Sequence, residues 1–138
     1  MQGIGILSWP GRNGIEKGEK YNGQWSNSQM NGQGTMEYSD GSVYEGNWED
    51  GVRSGTGRFV LMKPDGEEVY TGEFKNDKFG GQGTLTKSNG AYYTGHWVEG
   101  TPTGRGEMKD PDGRVFIGIF EDGKPVGKHD PRLRVLIV

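Results

Sequence analysis

The stretch NGQGTMEYSDGSVYEGNW, from Asn31 to Trp48, decides the fold. It opens with two glycines set one residue apart, Gly32 and Gly34, and closes on Tyr44 and Trp48 with a glycine between them. Residues two apart lie on the same face of a β-strand, so both groups alternate as strand residues do. The aspartate-glycine step between them is typical of a tight turn. The stretch therefore predicts two strands joined by a turn.

The same pattern returns along the chain at an almost fixed period. Five segments carry an aromatic residue, a glycine and a second aromatic residue at alternate positions, and they start 23, 26, 23 and 23 residues apart. They are YNGQW at Tyr21, YEGNW at Tyr44, YTGEF at Tyr70, YTGHW at Tyr93 and FIGIF at Phe116. Counting the first aromatic residue as offset 0, glycines follow at offsets 11 and 13 in the first four units, and an apolar residue at offset 15. Such a period is the signature of a repeat architecture.

Each unit is predicted to be a β-hairpin. Offsets 0, 2 and 4 place the aromatic residues and the first glycine on one face, whereas offsets 1 and 3 are polar in the first four units. Glycines on the apolar face leave hollows in which rings from a neighbouring strand can lie. The residue at offset 7 suits a turn that needs a positive φ, and it is Ser28, Gly51, Asp77, Gly100 or Gly123. The predicted fold class is all-β, an elongated and twisted antiparallel meander of stacked hairpins in a single curved sheet.

Three segments are predicted. Residues 1–20 hold a half repeat, with Gly3, Gly5 and Leu7 in the spacing of a second half, and an extended connector. Residues 21–123 form the array, whose last unit is incomplete, and residues 124–138 form a capping or partner-binding tail. The N-terminal strand has an unpaired edge, which is capped by the connector, docked on a partner, or continued by a longer array.

Two places depart from the pattern. The second unit has three extra residues within VLMKPDGEEV, which predicts a longer turn and leaves Leu61 and Met62 as loop residues or partner contacts. The last unit has Ile117 and Ile119 where earlier units are polar, so we expect the tail to fold over that face or to bind a partner as a strand. The alternating apolar residues of the tail are Leu133, Val135 and Ile137. Residues 124–138 carry a net charge of +3 and the remainder −6, which favours an acidic partner at the C-terminal end.

Composition limits the class of protein. Hydrophobic residues make up only 30% of the chain, yet 15 aromatic residues accompany 27 glycines, which disfavours both a thick core and simple disorder. There is no cysteine, no apolar stretch long enough for a membrane span, and no signal-peptide pattern at the N-terminus. We expect a cytoplasmic protein.

The motifs of catalysis and ligand binding are incomplete. The glycine pairs lack the third glycine of a dinucleotide loop, and KDPDGR, from Lys109 to Arg114, lacks the spaced ligands of a calcium loop. His96 and His129 have no partner residue that the sequence identifies. We therefore predict no enzyme activity, no cofactor and no metal. Interspersed charges on an acidic array also argue against nucleic acid and make a lipid surface the weaker partner.

The segments YEGNWEDGVRSGTGRF and YTGEFKNDKFGGQGTL resemble MORN repeats, the membrane occupation and recognition nexus motif. The resemblance covers about residues 21–123. It implies a ribbon of hairpins that acts as a scaffold, is often dimeric and can bind phospholipid, with any catalysis in a separate domain. It also implies a place in the cytoskeleton or in the axoneme of a cilium or flagellum.

The predicted function is a non-catalytic protein-interaction scaffold. The apolar face is expected to hold a helix or an extended segment of a partner, or a second copy of the chain, in an aromatic groove. The predicted contact residues are Tyr21, Trp25, Tyr44, Trp48, Tyr70, Phe74, Tyr93 and Trp97, all of which could instead serve only in packing. The alternatives are a peripheral phospholipid-binding adaptor and a piece of a longer enzyme or regulatory protein.

Overall fold

The structure is a computed structural model and describes residues 3–9, 18–126 and 134–137. These residues form strands and connecting turns without a helix. The strands are β1 Gly3–Trp9, β2 Glu19–Ser26, β3 Gln29–Glu37, β4 Val43–Glu49, β5 Val52–Lys63, β6 Gly66–Lys75, β7 Lys78–Lys87, β8 Tyr92–Val98, β9 Thr101–Lys109, β10 Arg114–Glu121, β11 Lys124–Val126 and β12 Arg134–Ile137.

All twelve strands belong to one sheet. From β1 to β11 each strand pairs with the next in sequence, every pair is antiparallel, and β12 pairs with β10. Even-numbered strands from β2 to β10 are the first halves of the repeats and odd-numbered strands are second halves. The predicted all-β meander of hairpins is confirmed.

The turns inside the units have the geometry that the sequence predicts. In the first, Asn27 and Ser28 have φ values of 54° and 62°, and the residues at offsets 6 and 7 of the other four units also have positive φ. Two successive positive φ values define the type I′ turn, whose twist matches that of the flanking strands. The offset 7 N–H then donates to the offset 9 carbonyl of the preceding unit, as from Gly51 to Met30 at 2.9 Å, and this bond recurs in each later unit.

Every complete unit has a bulge at the same place. The register between the two halves shifts between the offset 2 glycine and the offset 4 aromatic residue, for example between Gly46 and Trp48, and it does so in all four units. A bulge increases the local right-handed twist of a strand pair. The repeated bulge therefore gives every hairpin the same extra twist.

The insertion in the second unit lengthens strands instead of a loop. β5 has 12 residues where β3 and β9 have 9, and a short turn at Pro64 and Asp65 joins it to β6. The predicted longer turn is therefore wrong, because the extra residues continue the pairing of the two strands. Leu61 packs against the hydrophobic core, whereas Met62 is 41% exposed.

The N-terminal half repeat pairs as a second half should. Gly5 lies opposite Gly23 and Leu7 opposite Tyr21, the register that β3 forms with β4 through Gly34 and Met36. Residues 10–17 of the connector lie outside the described residues, and so does the predicted cap that they would form.

The C-terminal tail adds to the edge of the sheet. Val135 of β12 lies opposite Phe116, and Ile137 lies opposite Arg114. The expectation that the tail folds over the face of Ile117 and Ile119 is not met by residues 134–137, because their backbone hydrogen-bonds beside β10. Leu133 lies outside the described residues.

The core is a single layer of rings lying on glycine backbone. A Cβ atom added to Gly34 would lie 2.1 Å from the Tyr21 hydroxyl and 2.4 Å from two of its ring carbons. The same overlap with the offset 0 tyrosine occurs at Gly57, Gly83 and Gly106. Any side chain at offset 13 would push the tyrosine away from the sheet, so the glycine pattern is a requirement of packing.

We predict that Gly34→Ala destabilises the chain by about 1–3 kcal/mol, the range for overpacking a well-filled core. The matched control is Gly5→Ala at the same offset of the half repeat, where an added Cβ would meet nothing closer than 3.8 Å. The control should change the free energy of unfolding by less than about 0.5 kcal/mol. Urea denaturation followed by tryptophan fluorescence measures both variants, and equal destabilisation would contradict the packing role of the ring.

Candidate protein-interaction surface

The rings of successive units form one continuous row, which we call the aromatic ladder. Neighbouring rings meet edge to face, with centroids 4.9–5.5 Å apart and interplanar angles of 80–90°. This is the arrangement that the ring quadrupoles favour. In spatial order the ladder comprises Trp25, Tyr21, Trp48, Tyr44, Phe74, Tyr70, Trp97, Tyr93, Phe120 and Phe116.

The polar atoms of the ladder bond to the backbone beneath them. The Tyr44 hydroxyl donates to the Asn47 carbonyl at 2.8 Å, and the offset 0 tyrosines of the other three complete units do the same at 2.7–2.9 Å. Trp48 Nε1 donates to the Gly34 carbonyl at 3.1 Å, and Trp97 makes the equivalent bond to the Gly83 carbonyl two units further on. These bonds fix the orientation of the four tyrosine rings and of the Trp48 and Trp97 rings.

The predicted contact residues are mostly buried. Seven of the eight have 5% or less of their surface exposed, and Trp25 is half-buried. Sequence reasoning placed these rings on one face but could not tell how deeply they would be covered. Their packing role is therefore established by the structure, and their contact with a partner stays a prediction.

Sequence reasoning missed the residue at offset 9. It has the same parity as the glycine pair, so it lies on the ring face, the face that carries the aromatic ladder. Its identity differs among the first four units. Its identities are Met30, Arg53, Phe79, Pro102 and Pro125. Phe79 stacks flat on Tyr70, with ring centroids 3.8 Å apart. The parity was the signal that could have identified this position.

Arg53 places a charge on the ring face. Its guanidinium carbon lies 4.5 Å from the centre of Phe59, and its Nε donates to Asp77 Oδ1 at 2.6 Å. The Arg53 side chain is only 16% exposed, so the ion pair and the ring together replace the water that it loses. Tyr38 stacks on the neighbouring Phe59, and burial raises the pKa of Tyr38 to about 12. This cluster closes the ring face over the second unit.

The fourth unit leaves the ring face open. Pro102 is at offset 9 there, and a groove of about 430 Å³ lies beside it. Tyr93 and Trp97, two of the predicted contact residues, line this groove together with Leu85 and Met108. Its remaining lining residues are Lys87, Ala91, Tyr92, Gly100, Lys109, Asp110, Pro111 and Gly123. Its volume lies within the range of small ligand pockets and suits a few apolar side chains.

The opposite face, which we call the outer face, is polar along most of the array. The Thr84 and Thr94 hydroxyls are 2.6 Å apart, and the Gln82 amide lies 3.3 Å from His96 Nδ1. Within residues 3–9, 18–126 and 134–137, no three His, Cys, Asp or Glu side chains are placed to hold a metal ion. The same residues include no helix of the length and hydropathy that a membrane span requires.

Because several tyrosines are buried, we predict that the protein is less stable at alkaline pH. Burial raises the pKa of Tyr21, Tyr44, Tyr70 and Tyr93 above its usual value, and Arg53 opposes the rise at Tyr44. Above about pH 10 the unfolded chain loses these protons while the folded chain keeps them, so the stability present below that pH is lost as pH rises. We expect the free energy of unfolding to fall as pH rises through this range, by at most about 1.4 kcal/mol per pH unit for each proton that the folded chain keeps and the unfolded chain has lost. Urea titrations between about pH 8 and pH 12 measure the slope.

Tyr44→Phe is the control for this prediction. It removes one titrating group and one hydrogen bond, so it should cost about 1 kcal/mol at neutral pH and make the alkaline slope shallower. An alkaline slope equal to that of the unaltered chain would show that Tyr44 does not contribute.

Part of the chain is similar to Alsin. It is 34% identical to Alsin of Homo sapiens, Mus musculus and Rattus norvegicus, in a match that covers 40% of this chain and 5% of each relative. The chain thus spans about one twentieth of the length of these curated relatives.

The hairpin array also matches a family model. The MORN repeat model matches four times, at residues 21–43, 44–61, 70–92 and 93–113, and together these segments cover more than half of the chain. MORN repeats are in general associated with protein or membrane interaction. The matched segments begin at the four tyrosines that open the complete hairpins, and the chain belongs to the MORN repeat family.

Proposed function

We propose that this chain is a non-catalytic scaffold that holds an apolar helix or extended segment of another protein in the groove over the fourth repeat. The observation that carries the proposal is the groove itself, about 430 Å³ of open and mainly apolar surface on the ring face. A concave, mainly apolar surface with a few polar groups at its rim has the form of a binding site. The buried ladder rings form its floor, so they support a partner from beneath.

Rigidity supports the same proposal. Hydrogen-bonded tyrosines and tryptophans hold the groove floor in one conformation. The offset 7 N–H of the next turn, at Gly123, bonds to the Pro102 carbonyl at 3.0 Å and fixes one rim. A preformed groove loses little conformational entropy on binding, which favours recognition of a flexible segment.

The charges of the rim suggest how the segment is oriented. Lys87 and Lys109 flank the groove, and among the described residues that line it Asp110 is the one acidic side chain. A segment with apolar residues at its centre and a carboxylate at one end would complement this arrangement. The wider role that we propose is that of a structural subunit in a larger cytoskeletal, ciliary or flagellar assembly, which rests on membership of the MORN repeat family.

The test is affinity purification of the tagged chain from its native cells, with a high-salt wash and stoichiometry read by mass spectrometry. Ala91 is half-buried and lines the groove, so Ala91→Glu places a carboxylate within the apolar surface. We expect the unaltered chain to retain one or a few stoichiometric proteins and Ala91→Glu to retain at least about tenfold less of them.

Thr71→Glu is the matched control. Thr71 is exposed on the outer face opposite Arg58, so the same added charge is tolerated there and partner retention should be unchanged. Equal retention by all three proteins would place the binding site elsewhere. Salt-sensitive sedimentation with anionic vesicles, and no retained protein, would replace the proposal by a phospholipid-binding adaptor.

A further inference from the structure

In the part of the chain that the structure describes, the strands at the two ends of the sheet pair differently from those within the array. β3, β5, β7 and β9 lie between two first-half strands, whereas β1 has the same glycine spacing and pairs only with β2 among the described residues. At the other end β10 is a first-half strand, but β11 continues the second half of its unit for only three residues. Among the described residues, β1 is therefore not paired with a first half, and β10 is paired with only part of a second half.

The missing parts match in position. β11 occupies offsets 8 to 10 of the fifth unit and pairs with Ile119–Glu121. β1 begins at Gly3, which corresponds to Gly32 at offset 11, and continues beyond offset 15 at Leu7. A β11 strand followed by a β1 strand has the offsets of one complete second half, as β9 has.

The ring face of β1 holds an unfilled hollow. At offset 13 of the complete units, a Cβ would overlap a tyrosine at 2.1–2.4 Å. At Gly5, which has the same offset, the nearest atom would be Trp25 Nε1 at 3.8 Å. The space above Gly5 corresponds to the space that an offset 0 ring occupies in the complete units. No offset 0 ring of the described residues occupies it here. Phe116, the offset 0 ring of β10, is half-buried at the opposite end of the sheet.

The outer face shows the same complementarity. Ile4 and Ile6 of β1 are 78% and 59% exposed, at offsets where all four complete second halves are polar or charged. Ile117 and Ile119 of β10 are at the offsets that face these positions in a hairpin, where all four complete first halves are polar. Apolar pairs across two antiparallel strands stabilise their pairing, and a lone apolar residue opposite a polar one does not.

We propose that copies of this chain associate head to tail, with β1 of one copy adding to the edge of β10 of the next. The register of the complete hairpins then places Leu7 opposite Phe116, Ile6 opposite Ile117 and Gly5 opposite Gly118. The added strand continues from β11 and replaces β12, which pairs with Arg114–Ile117 in the structure. β12 is thus a self-complementing strand that competes with the next copy.

The contact is heterologous, so further copies can add to it until a ring closes or as a continuing filament. A heterologous contact leaves one unused end on each terminal copy, so association continues with concentration. One added strand buries less area than a standard interface of about 1,600 Å², so we expect association over roughly 1 µM to 1 mM. This inference is independent of the groove partner, because it concerns the two ends of the sheet.

The experiment is sedimentation velocity of the 138-residue chain over that concentration range, with the monomer mass of 15.2 kDa as reference. Two variants each remove one half of the contact, namely Ile6→Glu and Ile117→Lys. We expect the unaltered chain to associate, each variant alone to associate at least about tenfold more weakly, and an equimolar mixture to regain association through the intact ends. Rescue by mixing distinguishes this contact from a pairing of β1 with β1, in which Ile117→Lys alone would associate normally.

Matched controls carry the same charges within the array. Thr35→Glu has the offset of Ile6, and Thr94→Lys has the offset of Ile117, and both should associate like the unaltered chain. If Ile117→Lys lowers the urea midpoint, Ile117→Thr is used instead, since Thr71 and Thr94 are at the same offset. A monomer at every concentration, or normal association of either end variant, overturns the proposal.

Val135→Pro tests the competition from β12. Proline lacks the N–H that a strand donates, so it should weaken the pairing of β12 with β10 and strengthen association severalfold. Association equal to that of the unaltered chain would show that β12 does not compete for this edge.

Discussion

The contact between a tyrosine ring and a pair of glycines is the constraint on which the rest of the structure depends. A single sheet has no second layer to cover its apolar face, so the face must bury itself. The glycines at offsets 2 and 13 have no side chain, so the tyrosine ring packs directly on their backbone. A Cβ at Gly34 would come within 2.1 Å of the Tyr21 hydroxyl. The ring of the next unit then covers the exposed edge of this one, and the layer becomes continuous.

This constraint explains why so much of the fold was readable from the sequence. A period of about 23 residues with fixed parity determines strands, faces and turns, because each rests on local spacing. The positive φ at Ser28, the half repeat at Gly5 and the glycine hollows all follow from that spacing. Family membership rests on the same residues.

The features that the sequence did not predict depend on contacts between residues that are distant in sequence. The near-complete burial of Tyr44 and Trp48 depends on rings of the neighbouring units, and no local pattern gives its extent. The extra residues before Val69 could form either a loop or longer strands. They form longer strands because β5 and β6 continue to pair as far as Lys63 and Gly66. The sequence alone predicts that Arg53 is solvated, whereas the fold places the Phe59 ring and the Asp77 carboxylate against its guanidinium group.

The hydrogen bond from each turn to the preceding unit has a mechanical consequence. Strands of the array lie in sequence order, so a force that separates β1 from β11 acts across the strands and along their hydrogen bonds. Such a force breaks one hairpin contact at a time, since each unit is held mainly by its neighbours. The bond from the Gly51 N–H to the Met30 carbonyl recurs at every unit boundary and is among those that resist each step. The ribbon would extend under tension in steps of one repeat and recover its length as the hairpins pair again.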